Sequence, residues 1–404
     1  MLARAFGLGG RSRASSFERH ILSMAFLGNH AVNRINLHYG VYALATASGG
    51  TFLLVFLLRV GLSAQEALLT SVAFVAGRFA VRPFVLPLAK RFGLKAMVIF
   101  GTFMLALQYP LSAAISGLDW ALFARNAVAA IGEAFYWTCF HAYFASLGDA
   151  EHRGHQIGAR EALAQGIAIV APLVGAWGLD SFGPEWMFPA VGIVQALAVL
   201  PLLGLPDVAV KREAPGAFRG AWAGALIFVV HGWFTAGFIV VWQVALFVAL
   251  GSSFSAYGGA MALAALAGAA GGLLLGKRLD GGHGAYAVLF VFAAMIAATV
   301  ARAASLGSPE AAVAANALGV FAMCFYVPTL MTAVYNLSKV SPCSLRFHMA
   351  AEGAWDVGYC AAVMVCIAFL AGGLAIGAGV LLAAPALAVL GVMLRRYFGR
   401  ALPV

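Results

Sequence analysis

Leu86-Pro87-Leu88-Ala89-Lys90-Arg91-Phe92 is echoed later in the chain by Leu273-Leu274-Leu275-Gly276-Lys277-Arg278-Leu279. In both places two basic residues end a long apolar stretch, and another apolar stretch follows. The spacing between the copies is close to half of the 404-residue chain. A hydrophobic plan repeated once, with its basic turns in register, predicts two homologous halves.

Composition says what surrounds those halves. The chain is 63% hydrophobic and 10% charged, with a mean hydropathy of +0.93. Soluble domains carry about 25% charged residues. This surface is therefore solvated by lipid, and the length allows roughly a dozen helices of about 20 apolar residues. The formal charge of +10 does not form a nucleic-acid patch, because Lys and Arg stand singly or in pairs at the ends of apolar runs. That placement is the mark of cytoplasmic loops, and no nucleic-acid partner is expected.

Twelve spans are predicted, at 35–59, 65–88, 94–115, 119–147, 159–180, 186–204, 219–249, 254–276, 284–306, 310–338, 350–371 and 374–396. The chain then divides into an N-terminal cytoplasmic or interfacial segment (1–34) and a first six-helix bundle (35–205). A polar cytoplasmic linker (206–218) leads to a second six-helix bundle (219–404) with a short cytoplasmic tail. Within the first segment, Ser15 to Asn29 reads either as an interfacial helix or as a free tail. With the N-terminus cytoplasmic, Lys90, Arg91, Lys95, Lys211, Arg212, Lys277, Arg278, Lys339, Arg346, Arg395 and Arg396 all fall on the cytoplasmic side. Only Arg59 and Arg302 fall near the outer one. Both termini are then cytoplasmic, and no cleavable signal peptide is read at the start.

Cys139, Cys324, Cys343, Cys360 and Cys366 form no CxxC pair and read as free buried thiols. Glu151-His152-x-x-His155 has a metal-like spacing but lies in a short turn with basic neighbours, so no metal or cofactor is expected. No His-Glu-x-x-His, Gly-x-Ser-x-Gly or phosphate-binding loop is present, so neither an enzyme nor ATP-driven chemistry is predicted.

Charged groups inside spans each cost about 2.5–3.5 kcal/mol at a helix centre on insertion scales, so they mark the working site. Span 4 is the richest. Glu133, Trp137 and His141 are spaced i, i+4, i+8 on one stripe, with Arg125 two turns before Glu133. An acid at mid-helix with a histidine on the same face suits a proton relay, and an arginine suits an anionic group. A structural ion pair with a core histidine explains the same residues. Arg78 and Arg82 share one face of span 2, and either an anionic solute or gate ion pairs account for them. Span 11 carries Glu352 and Asp356 four apart, and span 5 begins with Glu161.

These residues carry a family likeness. Leu86-Pro87-Leu88-Ala89-Lys90-Arg91-Phe92-Gly93-Leu94-Lys95 resembles the Gly-x-Leu-Ala-Asp-Arg-x-Gly-Arg-Lys signature of the major facilitator superfamily. Leu88, Ala89, Arg91, Gly93 and Lys95 match, while Lys90 replaces the aspartate. Leu122-Phe123-Ala124-Arg125 is similar to the start of its span 4 signature, and Arg153-x-His155 is partly copied by Arg346-x-His348.

The resemblance implies twelve helices in two pseudo-symmetric bundles, with spans 1, 4, 7 and 10 around a central cavity. His231 and Tyr326 then join Arg125, Trp137 and Arg78 as solute-binding residues, and Glu133 and His141 handle protons. It also implies gate pairs of Lys90 or Arg91 with Glu352 or Asp356, and of Lys277 or Arg278 with Glu161 or Asp149. The expected activity is secondary active transport of a small organic solute across the cytoplasmic (inner) membrane by alternating access. The protein is expected to be proton-coupled and monomeric in the lipid bilayer. A transport-inactive scaffold or sensor on the same fold is the alternative, and a polytopic enzyme a more remote one.

Overall fold

The computed structural model describes residues 28–148, 153–279 and 284–400, with backbone alone at 153–155, 157, 273–279, 284–287 and 400. The reading of Ser15 to Asn29 falls almost wholly outside these residues. So do Asp149, Glu151, His152 and the side chains of Arg153, His155, Lys277 and Arg278.

Every regular element among the described residues is helical. Twelve long helices cross the molecule. They are α1 (His30–Arg59), α2 (Ala64–Val81, carried on through a 3-10 turn to Phe92), α3 (94–113), α4 (Trp120–Leu147), α5 (Arg153–Phe182) and α6 (Pro184–Leu202). The second half contributes α7 (Trp222–Ala249), α8 (Phe254–Leu279), α9 (Gly284–Ala304), α10 (Pro309–Val340), α11 (Ser344–Ala371) and α12 (Ile376–Gly399). Nine apolar stretches among the described residues are long enough to span a bilayer, one of them (Ala64–Ala113) long enough for two helices. Helix α4 is not among the nine, because Arg125, Asn126, Glu133 and His141 dilute its apolar content.

Local sequence sets the helix ends. Asn29 accepts from Val32 N at 3.0 Å, so α1 begins at His30, five residues before the predicted span. Ser63 and Glu66 form a capping box at α2. Asp119 accepts from Leu122 N at 3.0 Å, and Ser308 from Ala311 N at 3.2 Å, at the starts of α4 and α10. The basic turn between α2 and α3 breaks at Gly93, whose φ of +83° suits only glycine. The link between the halves holds it there. Asp207 accepts from Lys95 N at 3.0 Å, and Val208 O accepts from Leu94 N at 3.1 Å.

The halves repeat each other. In the first, α3 packs on α4 and α6, and α2 on α4. In the second, α9 packs on α10 and α12, and α8 on α10. Asn126 donates to Thr70 O at 3.3 Å, and Asn316 donates to Ala260 O at 3.1 Å. The step along the chain from Asn126 to Asn316 is the same as that from Thr70 to Ala260. His38 meets Tyr136 Oη at 3.1 Å, and His231 meets Tyr326 Oη at 2.8 Å. Helices α1 and α7 each contain one π-helical segment, Thr46–Gly50 and Ala236–Val241. Small residues permit the close crossings, as where Gly358 of α11 lies against the carbonyl of Val229 in α7.

Two helix pairs make the broadest contacts between the halves, α2 with α11 and α5 with α8, and α4 with α11 and α1 with α7 make smaller ones. The end that carries the Gly93 turn also holds Lys90, Arg91, Lys211 and Arg346, and is here the basic end. There His141 of α4 meets Tyr335 of α10 at 3.0 Å. At the opposite end Asp180 accepts from Ser255, and Arg59 donates to Ser252 O at 3.1 Å. An aromatic cluster that includes Phe52, Phe247, Phe254 and Tyr257 continues that contact inward.

Candidate functional site

Arg78 lies at the middle of α2, Glu133 at the middle of α4 and Asp356 near the middle of α11. The fold brings them together across the boundary between the halves. Arg78 Nε donates to Asp356 Oδ1 at 2.7 Å, its Nη2 bonds the same oxygen, and its Nη1 reaches Glu133 Oε2 at 3.4 Å. Arg82, one turn along α2, donates from Nη2 to Asp356 Oδ2 at 2.5 Å and from Nη1 to Thr138 Oγ1 at 3.0 Å. The i, i+4 spacing puts both guanidiniums on the face that meets α11. Trp355 covers Arg78 with its ring 4.5 Å from Cζ.

Asp356 is 1% exposed and Arg78 5%. Charges this deep persist only when paired, and here the pairing spans two separately packed bundles. Glu352, one turn along α11 and also buried, makes no direct ion pair among the described residues but lies within electrostatic reach of both guanidiniums. Two cations thus face three carboxylates.

Among the described residues, the expected pairing of Lys90 or Arg91 with Glu352 or Asp356 is not formed in this conformation. Lys90 and Arg91 are exposed at the basic end, and Arg91 packs over Phe92 at 5.1 Å. Asp356 is taken by Arg78 and Arg82, two to three helical turns deeper, at about 1.5 Å of rise per residue too far for Lys90 to reach. Glu161 pairs with its neighbour Arg160 at 2.6 Å. The side chains of Lys277 and Arg278 lie outside the described residues.

The α4 stripe does run as one surface. Trp137 stacks on His141 at 5.5 Å between ring centroids, and His141 stacks on His348 of α11 at 5.3 Å. His348 is fully buried, and among the described residues neither ring nitrogen has a partner. His231 and Tyr326 bond each other, with Phe228, Phe234 and Phe292 around them, and contribute to the core of the second half. Arg125 bonds Asn126 Oδ1 at 2.8 Å and Gln108 Oε1 at 3.2 Å, beside a cavity of about 160 Å³.

A larger cavity, of about 650 Å³, opens between α5, α7, α8 and α10. Glu161 is on its wall, as are Gln243 of α7 and Pro328 of α10, which the sequence places in cavity-lining spans. Sequence reasoning missed Gln165, Arg302 and Asn316, which also line it. Arg302 stood out in the sequence only as a basic residue on the wrong side of the charge asymmetry. Among the described residues no group of three or more His, Cys, Asp or Glu is placed to hold a metal.

The family model of the Major Facilitator Superfamily matches residues 39–342, and the chain belongs to that family. No curated protein matches it closely. Among solved structures, the fucose:proton symporter of E. coli superposes with a TM-score of 0.64 at 15% identity, over 90% of this chain and 98% of that one. A D-xylose-proton symporter gives 0.64 at 13% identity, over 94% and 98%. A human organic anion transporter gives 0.65 at 15% identity, over 90% and 99%. At these identities the likeness is one of fold.

Proposed function

We propose that the protein is a proton-coupled secondary active transporter of a small organic solute in the cytoplasmic (inner) membrane, with both termini cytoplasmic. The bundles 35–205 and 219–404 would rock about their interface, with the 206–218 link as the flexible joint, and expose a mid-membrane site to each side in turn. The observation that carries this reading is the buried Arg78–Glu133–Arg82–Asp356 network, built from both halves at mid-helix. An ionic contact there must break or rearrange whenever the halves part, which couples its charge state to the direction the site faces.

Charge counting supports proton coupling. Three carboxylates and two guanidiniums become neutral on binding one proton, and a low-dielectric setting favours neutrality. Glu133 is the natural acceptor. It holds Arg78 by one long contact, and its side chain is 20% exposed against 1% for Asp356. His141 and His348 extend a polar path toward the basic end. Trp137 and Arg125 stay with the solute-handling surface of α4, and Arg78 acts in the network. His231 and Tyr326 bear on the site through the shape of α7 and α10. Lys90, Arg91, Lys277 and Arg278 would close a cytoplasmic gate as the halves rock, the first two with Glu352 or Asp356 and the last two with Glu161 or Asp149.

The test is purified protein in proteoliposomes with an imposed proton gradient and a panel of labelled metabolites. Gradient-driven accumulation of one solute, lost in Glu133→Gln, is the expected result. Uptake with no response to the gradient would remove the coupling, and no uptake at all would favour a transport-inactive protein on the same fold.

A further inference from the structure

The two broadest contacts between the halves, α2 with α11 and α5 with α8, are related by the internal repeat, yet among the described residues only the first is ionic. One constant offset along the chain relates Thr70 of α2 to Ala260 of α8. The same offset relates Asn126 and Tyr136 of α4 to Asn316 and Tyr326 of α10, and these residues make matching bonds in the two halves. By that offset Arg78 corresponds to Gly268, Arg82 to Gly272 and Glu133 to Met323. All three counterparts line the 650 Å³ cavity. Where the first half projects two guanidiniums and a carboxylate, the second projects two hydrogen atoms and a thioether. The cavity is the space those side chains leave.

Among the described residues a single cation, Arg302, lines it. Arg302 of α9 is 3% exposed. Its Nη1 donates to Phe238 O, in the π segment of α7, at 2.6 Å, and its Nη2 to Asn316 Oδ1 at 3.3 Å. Its Nε has no partner among the described residues. The guanidinium packs over Phe238 at 4.0 Å and Trp242 at 5.0 Å. Among the described residues no carboxylate pairs with it. The one carboxylate on the cavity wall, Glu161, is already held by Arg160. Part of this is structural, since Nη1 bonds a carbonyl within the π segment. A neutral amide would do that without burying a charge. A buried cation with only neutral partners is costly in a membrane unless a counter-charge arrives. Gln165 Oε1, also buried on the wall, lacks a donor. The rest of the lining is apolar, with Trp242, Met261 and Met323 prominent.

We propose that this cavity binds an organic anion, a monocarboxylate with an apolar body, whose charge is met by Arg302. The volume lies within the range of small-molecule sites. The carboxylate takes the Arg302 end and the apolar body lies along Met261 and Met323, where Gln165 accepts from any donor it carries. The smaller cavity at Arg125, of about 160 Å³, has about a quarter of that volume. The proposal names the solute class for the transporter reading and rests on that reading only for its physiological sense. Binding can be measured without transport.

The experiment titrates the detergent-purified full chain with three acid–amide pairs, read by calorimetry and by thermal stabilisation. The pairs are hexanoate with hexanamide, 3-phenylpropionate with its amide, and indole-3-acetate with its amide. At least one acid should bind at one site per chain, with its amide at least tenfold weaker. Arg302→Gln should reduce acid binding tenfold or more, and Arg302→Lys should keep part of it. Gly272→Phe fills the cavity from a position with no atom within 4 Å of the new Cβ, so it should fold normally and abolish binding. The proposal is overturned if no acid binds, if acids and amides bind alike, or if Gly272→Phe leaves binding intact. Acid binding without uptake in proteoliposomes would remove transport and leave the site. Uptake of an uncharged solute without acid binding would remove the site and leave transport.

Discussion

Removing the Asp356 carboxylate should uncouple the two halves more than any other single truncation. The carboxylate accepts from Arg78 Nε and Nη2 and from Arg82 Nη2, and is 1% exposed. In Asp356→Ala three charged donors lose their acceptor in a buried setting, where breaking one side of an ion pair costs about 3–5 kcal/mol. Glu133 already touches Arg78, and Glu352 lies close enough to take up part of the lost charge. Polar contacts inside membranes are also worth less, about 0.6 kcal/mol on average and about 1.7 at most. A net loss of about 3 kcal/mol follows for Asp356→Ala, with a coupling of about 1.5 kcal/mol between Asp356 and Arg78. The assay is reversible unfolding in mixed detergent micelles, followed by a thiol dye on the buried Cys139, Cys343 and Cys366. The single variants Asp356→Ala and Arg78→Ala and their double complete the cycle. If the double variant loses the sum of the two single losses within about 0.5 kcal/mol, the residues do not act as a pair and the network is not what joins α2 to α11.

Three further outcomes are expected. Glu133→Gln should retain exchange of solute across the vesicle membrane but lose accumulation driven by an inward proton gradient, by tenfold or more in initial rate; unchanged gradient-driven accumulation would exclude Glu133 as the proton carrier. Asp180→Cys with Ser255→Cys, oxidised across the end opposite the basic turn, should block transport and regain it on reduction, because the halves must separate there in each cycle. Undiminished turnover of the oxidised protein would count against rocking. Gly358→Val should lower stability by about 1–3 kcal/mol, since its Cβ would meet the Val229 carbonyl between α7 and α11. Wild-type stability in the same unfolding assay would place that helix crossing elsewhere.

Depth and face were legible for the residues with an unambiguous period. The i, i+4 spacings of Arg78 with Arg82, Glu133 with Trp137, and Glu352 with Asp356 put each pair on one side of its helix, and the structure keeps them there. Partnership was not legible. The copied basic turns suggested that Lys90 or Arg91 meets the acids of α11, yet the acids sit two to three turns deeper, where only Arg78 and Arg82 reach. Asp207 was equally hidden. It holds the Gly93 turn from the far-off link between the halves, accepting from the Lys95 amide, and no local pattern announces such a contact.

The sequence by itself determined a membrane protein of two repeated helical halves, because lipid demands long apolar helices and a duplicated chain repeats their order. It also determined where costly charges lie along each helix. Only the tertiary structure decided which charges meet, because that depends on how α2 and α5 of one half face α11 and α8 of the other. It alone revealed that the repeat is broken by subtraction. Gly268, Gly272 and Met323 look ordinary along the chain, and become the walls of a cavity only once α5, α7, α8 and α10 surround the volume that Arg78, Arg82 and Glu133 fill on the opposite side.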